Sequence, residues 1–415
     1  MTPRPRFVTY ENGLLLLLGF SFGVAFFDRN AATILSPFIR DDLQLNNTQV
    51  GLLGSGLALS WAIGAFLIAR WSDAVGARKP FLVAFLIIFS CCSFVSGLAP
   101  TFEILLASRI VMGLVEGPFL PICLALMIAW SSPHRRGMNA GVMQNLFSAL
   151  LGQTLAPLVF VPLAQHVDWR AAFYVAAVPG LLCALAVALF VREPPRAAAT
   201  PGETSAPRLG AWPMLRVRNI LLCSAISICM VGWLVIGWTF LPTFLIEYRG
   251  LPPETMQWIM AAMGLASAAS SFTAPALSDR VGRKPVMIAF CLMGTLAPLA
   301  AVYYPGPVPI MTALMFVGWL GIGAFPLFMG VIPSETIGRL QAATAMGLIV
   351  CIGEVVGGFG ITTAAGRLAD AATLAAPFLV MTACAAVAGA LCFLLEETAP
   401  VKLRTGRQTS TLVTG

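Results

Sequence analysis

The chain has 415 residues, of which 58% are apolar and 10% are charged; an ordinary soluble domain carries about 25% charged residues. Its 25 basic and 18 acidic side chains are too few to cover the surface of two or three soluble domains, which excludes a soluble enzyme, a disordered protein and a nucleic-acid-binding module. The net charge of +7 therefore has meaning only through where the charges sit along the chain.

Taken in chain order, polar or Pro/Gly breaks separate twelve segments long and apolar enough to cross a bilayer. They are 13–37, 48–71, 80–99, 102–130, 137–163, 170–191, 219–246, 256–278, 285–304, 308–332, 341–366 and 373–395. The expected fold class is an all-α polytopic membrane protein of twelve transmembrane helices in two six-helix bundles. The break at 192–218 is rich in Pro, Ala, Ser and Thr and reads as a cytoplasmic linker. It divides an amino-terminal bundle, 1–191, from a carboxy-terminal bundle, 219–397, with a cytoplasmic tail at 398–415. With both termini in the cytoplasm, the external loops hold Arg40, Arg170, Arg249 and Arg367, and Arg29 and Arg109 stay in the membrane. The other 19 of the 25 basic residues are then cytoplasmic, a strong positive-inside bias.

The ten cysteines all fall in apolar runs, without CxxC or Cys/His ligand spacing. Small apolar filler between helices is their expected role, and no metal site is expected.

The two halves repeat. The loop after span 2 reads ARWSDAVGARKP and the loop after span 8 reads PALSDRVGRKP; Asp73 and Gly76 match Asp279 and Gly282 at the same point of each half. Internal repeats of this kind characterise transporters whose binding site lies near the bilayer midplane between the halves.

These two loops resemble the signature loop of the major facilitator superfamily. The resemblance runs from about residue 14 to residue 397. It includes RRG after span 4, WRAAF before span 6, REPP after span 6 and PSETIGR between spans 10 and 11. Within the superfamily, FFDRNAATILSPFIRDDLQLNNTQVGLL and RIVMGLVEGPFLP resemble the first and fourth spans of the anion:cation symporter branch. That resemblance implies transport of an organic anion together with protons, with Asp28 and Glu116 as proton sites and Arg29 and Arg109 as their charged companions. It also implies that Asp73, Arg78, Asp279 and Arg283 latch a conformational state. Trp61 and Ala65 stand where that branch has Tyr and Gln, and Glu354 stands where it has Asn. The string ALSWAIGAFLIARWSD is closer to the Spinster-like branch, which handles lysolipids and related amphiphiles, so an amphiphile exporter is the alternative.

The residues themselves lead to the same charges. Five remain at membrane depth after the loops are assigned: Asp28, Arg29, Arg109, Glu116 and Glu354. Each costs about 2.5–3.5 kcal/mol at a helix centre and needs a partner or a wet cavity. Arg109 and Glu116 share one face of span 4 but stand about 10.5 Å apart along the axis. Asp28 and Arg29 point about 100° apart, so all four need partners on other helices. The simplest arrangement joins spans 1 and 4, with two acids and two arginines around a wet cavity. Asp28 and Glu116 then carry protons while Arg29 and Arg109 meet the substrate's charge or neutralise the unprotonated acids; a static ion-pair network that only locks the helices stays open.

Phe27, Trp61, Gln144, Asn145, Trp233, Trp238, Trp319 and Phe325 are candidate cavity residues, and Glu354 a substrate contact or second proton site. The apolar Trp61 and Ala65 point to an aromatic or amphiphilic carboxylate. The spans hold no histidine and no nucleophile–base pair, and no large soluble domain interrupts them, which argues against an intramembrane enzyme or a receptor. The expectation is a monomer in the bacterial inner membrane, with no cofactor and a proton gradient as its energy source. Its partners are a small organic anion, protons and the lipid bilayer.

Overall fold

A computed structural model describes residues 10–75, 77–132, 135–193, 211–337 and 339–399. Among them ten helical segments are long and apolar enough to cross a membrane. These are α1 (Tyr10–Ile34), α3 (Lys79–Leu98), α4 (Phe102–Trp130), α5 (Met138–His166), α6 (Trp169–Phe190), α7 (Arg218–Tyr248), α8 (Pro253–Val281), α9 (Arg283–Tyr303), α10 (Val308–Ile337) and α11 (Thr344–Ala371). Two more helices occupy the places of spans 2 and 12: α2 (Asn47–Val75) and the shorter α12 (Ala376–Cys392). Every expected span thus meets a helix, and α11 runs past the expected end of span 11 to take in Arg367 and Asp370.

Long apolar runs favour helices in a bilayer because only a helix satisfies each backbone group within its own segment. The outer faces are correspondingly apolar. On α6, Leu182, Leu185, Leu189 and Phe190 are all exposed, as side chains that face lipid rather than water. The ten cysteines are all free, and most are buried.

The described residues fall into two compact units, the first within 1–45, 56–200 and 252–265 and the second within 46–55, 201–251 and 266–415. The expected bundles differ from these units in two short stretches, 46–55 and 252–265, which hold the starts of α2 and α8. Residues 194–210 of the expected linker and 400–415 of the expected tail lie outside the described residues.

Each unit uses the same device to begin its third helix. In the first, both carboxylate oxygens of Glu193 accept the backbone N–H groups of Arg78 and Lys79 at 2.6 and 2.9 Å. In the second, Glu397 accepts those of Arg283 and Lys284 at 2.8 and 3.2 Å. An anionic acceptor at a helix start satisfies orphan N–H donors and complements the helix dipole. Glu193 is the acid of the REPP string; its counterpart Glu397 follows α12. Gly282, just before α9, has φ of 117°, a conformation that favours glycine. The start of α2, within the second unit, is capped similarly by Asp370, which accepts the N–H groups of Asn47 and Thr48, both at 2.8 Å.

Candidate functional site

The charges of the first unit converge from α1 and α4. Because Asp28 and Arg29 are consecutive, helix geometry turns them to different faces. Asp28 is fully buried, whereas the Arg29 side chain keeps 20% exposure. Ser93 of α3 donates its hydroxyl to Asp28 Oδ1 at 2.5 Å. The same hydroxyl lies 3.2 Å from the carbonyl oxygen of Phe173 on α6.

Arg109 is also fully buried. Its Nη2 donates to Ser96 Oγ at 2.5 Å, and Ser96 is 2.7 Å from the hydroxyl of Ser108. The Phe173 ring lies 5.2 Å from the guanidinium carbon, and Asp28 and Glu116 are within electrostatic range of the charge. Glu116 is buried and faces Arg29 Nη1 at 3.9 Å. The Arg29 guanidinium sits against the rings of Phe26 and Trp61, at 5.5 and 5.9 Å. Asp28 Oδ2, Glu116 Oε1 and both Nε and Nη1 of Arg109 are buried without a hydrogen bond among the described residues. Two acids and two arginines make the cluster neutral in sum, the condition under which buried charge is tolerated.

The expected meeting of spans 1 and 4 is therefore present, with Arg29 taking Glu116 and with Arg109 and Asp28 held through serines of α3. The wet cavity is not what surrounds all four groups. Asp28 and Arg109 are sealed away from solvent, and Arg29 alone keeps appreciable exposure. Ser93 and Ser96, with Ser90, recur every third residue on α3, a polar stripe readable in the sequence but easily taken for small packing residues.

Backbone proximity places Trp61 and Glu116. A Cβ on Gly113 would collide with Ser60 and the Leu57 carbonyl oxygen, and one on Gly117 with the Trp61 carbonyl oxygen and the Ala65 nitrogen. The Gly113–Gly117 pair thus lets α4 lie directly on α2. Gly117 and Pro118 form a turn that interrupts α4 immediately after Glu116, as their composition implies.

Gln144 and Asn145 are half-buried on the π-helical turn Val142–Leu146 of α5. Phe27 packs on Phe160 at 4.4 Å between ring centres and is buried, a packing role in place of the cavity role considered for it.

The second unit carries tryptophans where the first carries charge. Trp233 and Trp319 are buried, 4.8 Å apart between ring centres. Their indole N–H groups donate to the Gly294 carbonyl and to Ser267 Oγ, so both are core residues and not cavity lining. Half-buried Trp238 sets its ring edge-on to Trp319 at 5.5 Å. Glu354 is half-buried in the π-helical segment Gly353–Ile361, next to the Gly353 face that packs on Ser227.

Of the residues expected to gate conformation, Arg283 is the hub. It pairs with Asp279, donates to Ser278 at 2.7 Å, and meets Glu335 of the PSETIGR string at 2.9 and 3.3 Å. Arg78 contributes its backbone N–H to Glu193, and the side chain of Asp73 lies outside those described.

A duplicated helical membrane scaffold with a buried charge cluster in one unit has the build of a polytopic carrier. The chain belongs to the Major Facilitator Superfamily, whose family model matches residues 18–252 and 236–414. It is 30% identical over 286 residues to a hexuronate transporter of Bacillus subtilis, covering 66% of this chain and 67% of that protein. It is 27% identical to a probable sulfoacetate transporter of Cupriavidus necator, over 66% of this chain and 65% of that one. Its fold matches the crystal structure of a bacterial homologue of the human lysosomal transporter Spinster, with a TM-score of 0.70 and 20% identity, covering 93% of this chain and 96% of that one. The chain is thus a multi-pass membrane transporter of this superfamily.

Proposed function

We propose that this transporter is a proton-coupled symporter of an organic anion, working by alternating access, with Asp28 and Glu116 as proton carriers. The observation that carries the reading is the gathering of Asp28, Arg29, Arg109 and Glu116 in one buried, charge-balanced cluster. In such a cluster a proton on either acid releases an arginine, and an arriving anion can take its place. Arg29 suits the anion contact: its ion pair with Glu116 is long, its side chain is partly exposed, and the rings of Trp61 and Phe26 lie against its guanidinium. Hexuronate and sulfoacetate, named for the two relatives, are both organic acids, which supports an anionic substrate. Gln144, Asn145, Trp238 and Glu354 are the further candidates for substrate contact, and Arg283 with Asp279, Asp73 and Arg78 for conformational latching. We place the protein as a monomer in the bacterial inner membrane with both termini cytoplasmic, driven by the proton gradient without a cofactor.

The test is uptake of radiolabelled glucuronate and of a panel of aromatic carboxylates and lysolipids into proteoliposomes under an imposed pH gradient. Asp28→Asn and Glu116→Gln are expected to abolish gradient-driven accumulation of whichever acid is carried. Full accumulation by either variant removes that residue from coupling, and transport of lysolipids alone replaces the anion reading with the amphiphile one.

A further inference from the structure

We propose that Ser93 is the positioning residue that lets Asp28 take up and release a proton without losing its hydrogen-bond partner. The inference rests on the reading of Asp28 as a proton carrier and assigns the device that makes the carrier reversible.

A fully buried carboxyl group has to be satisfied in both protonation states, because either form left without a partner in a dry site is costly. The two forms ask for opposite things. The carboxylate is an acceptor only, while the acid must also donate. A hydroxyl can answer both needs, provided its own hydrogen has somewhere else to go. Ser93 has such a place. Its Oγ lies 2.5 Å from Asp28 Oδ1 and 3.2 Å from the Phe173 carbonyl oxygen, with one hydrogen to share between them.

With Asp28 ionised, the Ser93 hydrogen points to Oδ1. When a proton from water reaches Oδ1, the new O–H donates to Ser93 Oγ, and the Ser93 hydrogen turns to the Phe173 carbonyl. On release, the Oδ1–H bond breaks and its proton goes to water, and the Ser93 hydrogen turns back to the carboxylate. Oδ1 and the Ser93 hydroxyl thus each keep a partner in both states, and the exchange at this contact needs only the rotation of one hydrogen.

The surroundings hold this geometry. Ser93 is fully buried, and its neighbour along the stripe, Ser96, is engaged by Arg109. Among the described residues, the titratable and charged groups on other elements within electrostatic range of Asp28 are Arg109 and Glu116 from α4 and Cys92 from α3. None of them hydrogen-bonds Asp28 among the described residues, so the hydroxyl alone fills that role. Alanine removes both functions of the hydroxyl at nearly constant shape. Cysteine retains a weak donor and a weak acceptor.

The experiment is pH-difference infrared spectroscopy of the purified full-length protein in lipid, which needs no knowledge of the substrate. A protonated carboxyl group buried in the membrane gives its own C=O stretching band, whose frequency rises as its hydrogen bonding weakens. We expect a titrating band that disappears in Asp28→Asn. In Ser93→Ala it should move to higher wavenumber, and in Ser93→Cys it should move less in the same direction. Loss of the band in Asp28→Asn with no displacement in either Ser93 variant overturns the role of Ser93 and leaves Asp28 as a proton carrier. A spectrum with no band that depends on Asp28 overturns both readings together.

Discussion

Replacing Arg109 with methionine should be among the most damaging single changes in the first unit, and a second change at Asp28 should largely repair it. Arg109 and Asp28 are both fully buried. They contact different serines, so their coupling runs through charge rather than a direct hydrogen bond. Methionine fills much of the volume of the arginine stem but leaves Asp28 an isolated buried anion beside another acid, Glu116. Breaking a buried charge pair from one side costs about 3–5 kcal/mol, whereas a single hydrogen bond between membrane helices averages about 0.6 kcal/mol. The charge term therefore dominates, and the lost contact to Ser96 is minor. For a unit of this size that cost corresponds to a fall of roughly 6–20 °C in unfolding midpoint. Asp28→Asn on the Arg109→Met background removes the stranded anion and should recover more than half of the loss.

The assay is thermal unfolding of purified protein followed by tryptophan fluorescence, on the four corners of the cycle at one pH and one detergent composition. Each variant is compared at a fixed heating rate, because a membrane protein of this size unfolds irreversibly and the midpoint depends on the scan. A double variant that melts as low as Arg109→Met, or lower by the sum of the two single effects, refutes electrostatic coupling between these side chains. The cluster would then be four independently placed groups.

The helix-start acids give a second test. Glu193→Ala and Glu397→Ala should each cost about 0.5–2 kcal/mol, and because the two sites share no partner their melting-point losses should add. Gly117→Leu should prevent recovery of monodisperse protein, because its side chain would enter the backbone of α2, while Gly13→Leu on α1, where nothing lies within 4 Å, should be recovered at wild-type yield. Size-exclusion chromatography of the detergent extract reads both, and normal recovery of Gly117→Leu would refute the close approach of α4 to α2.

The sequence discloses depth far better than rotation. Hydropathy places Asp28, Arg29, Arg109 and Glu116 inside the bilayer, and helix periodicity shows that none can pair closely within its own helix. Which neighbour each one meets depends on how α1, α3, α4 and α6 are turned about their axes, and apolar runs of near-uniform hydrophobicity carry little of that information. Asp28 and Arg109 turned out to be partnered by Ser93 and Ser96, a residue type also common as packing filler between membrane helices. The expectation of a wet cavity around all four charges failed for the same reason. Consecutive residues diverge by 100°, so Asp28 meets Ser93 of α3 while Arg29 meets Trp61 of α2 and Glu116 of α4 and keeps the exposure. The tryptophans, read as packing or cavity residues alike, show the same limit: an indole at membrane depth looks alike in sequence whether its N–H meets a ligand or, as for Trp233, the carbonyl of Gly294.

The duplication has been kept unevenly, and the unevenness bears on mechanism. What both units retain is scaffold: the Asp-Gly loop after the second helix and the glutamate that caps the third. What they do not share is the interior of their first and fourth helices. In the first unit these hold Asp28, Arg29, Arg109 and Glu116; in the second, α7 and α10 hold Trp233, Trp238 and Trp319 at comparable positions along the helices. Two chemically different interiors on one repeated frame suit two different tasks. A neutral cluster of acids and arginines suits the exchange of protons for an anion, whereas a group of indoles, with the N–H groups of Trp233 and Trp319 satisfied, offers an apolar wall with one half-buried ring, Trp238. If the proposed proton coupling holds, changes to the charges should alter coupling, and changes to Trp238 should alter which acid is carried while leaving proton dependence intact. A Trp238→Ala variant assayed on the same acid panel separates the two, and an equal loss of coupling from it would place the indole in the proton machinery instead.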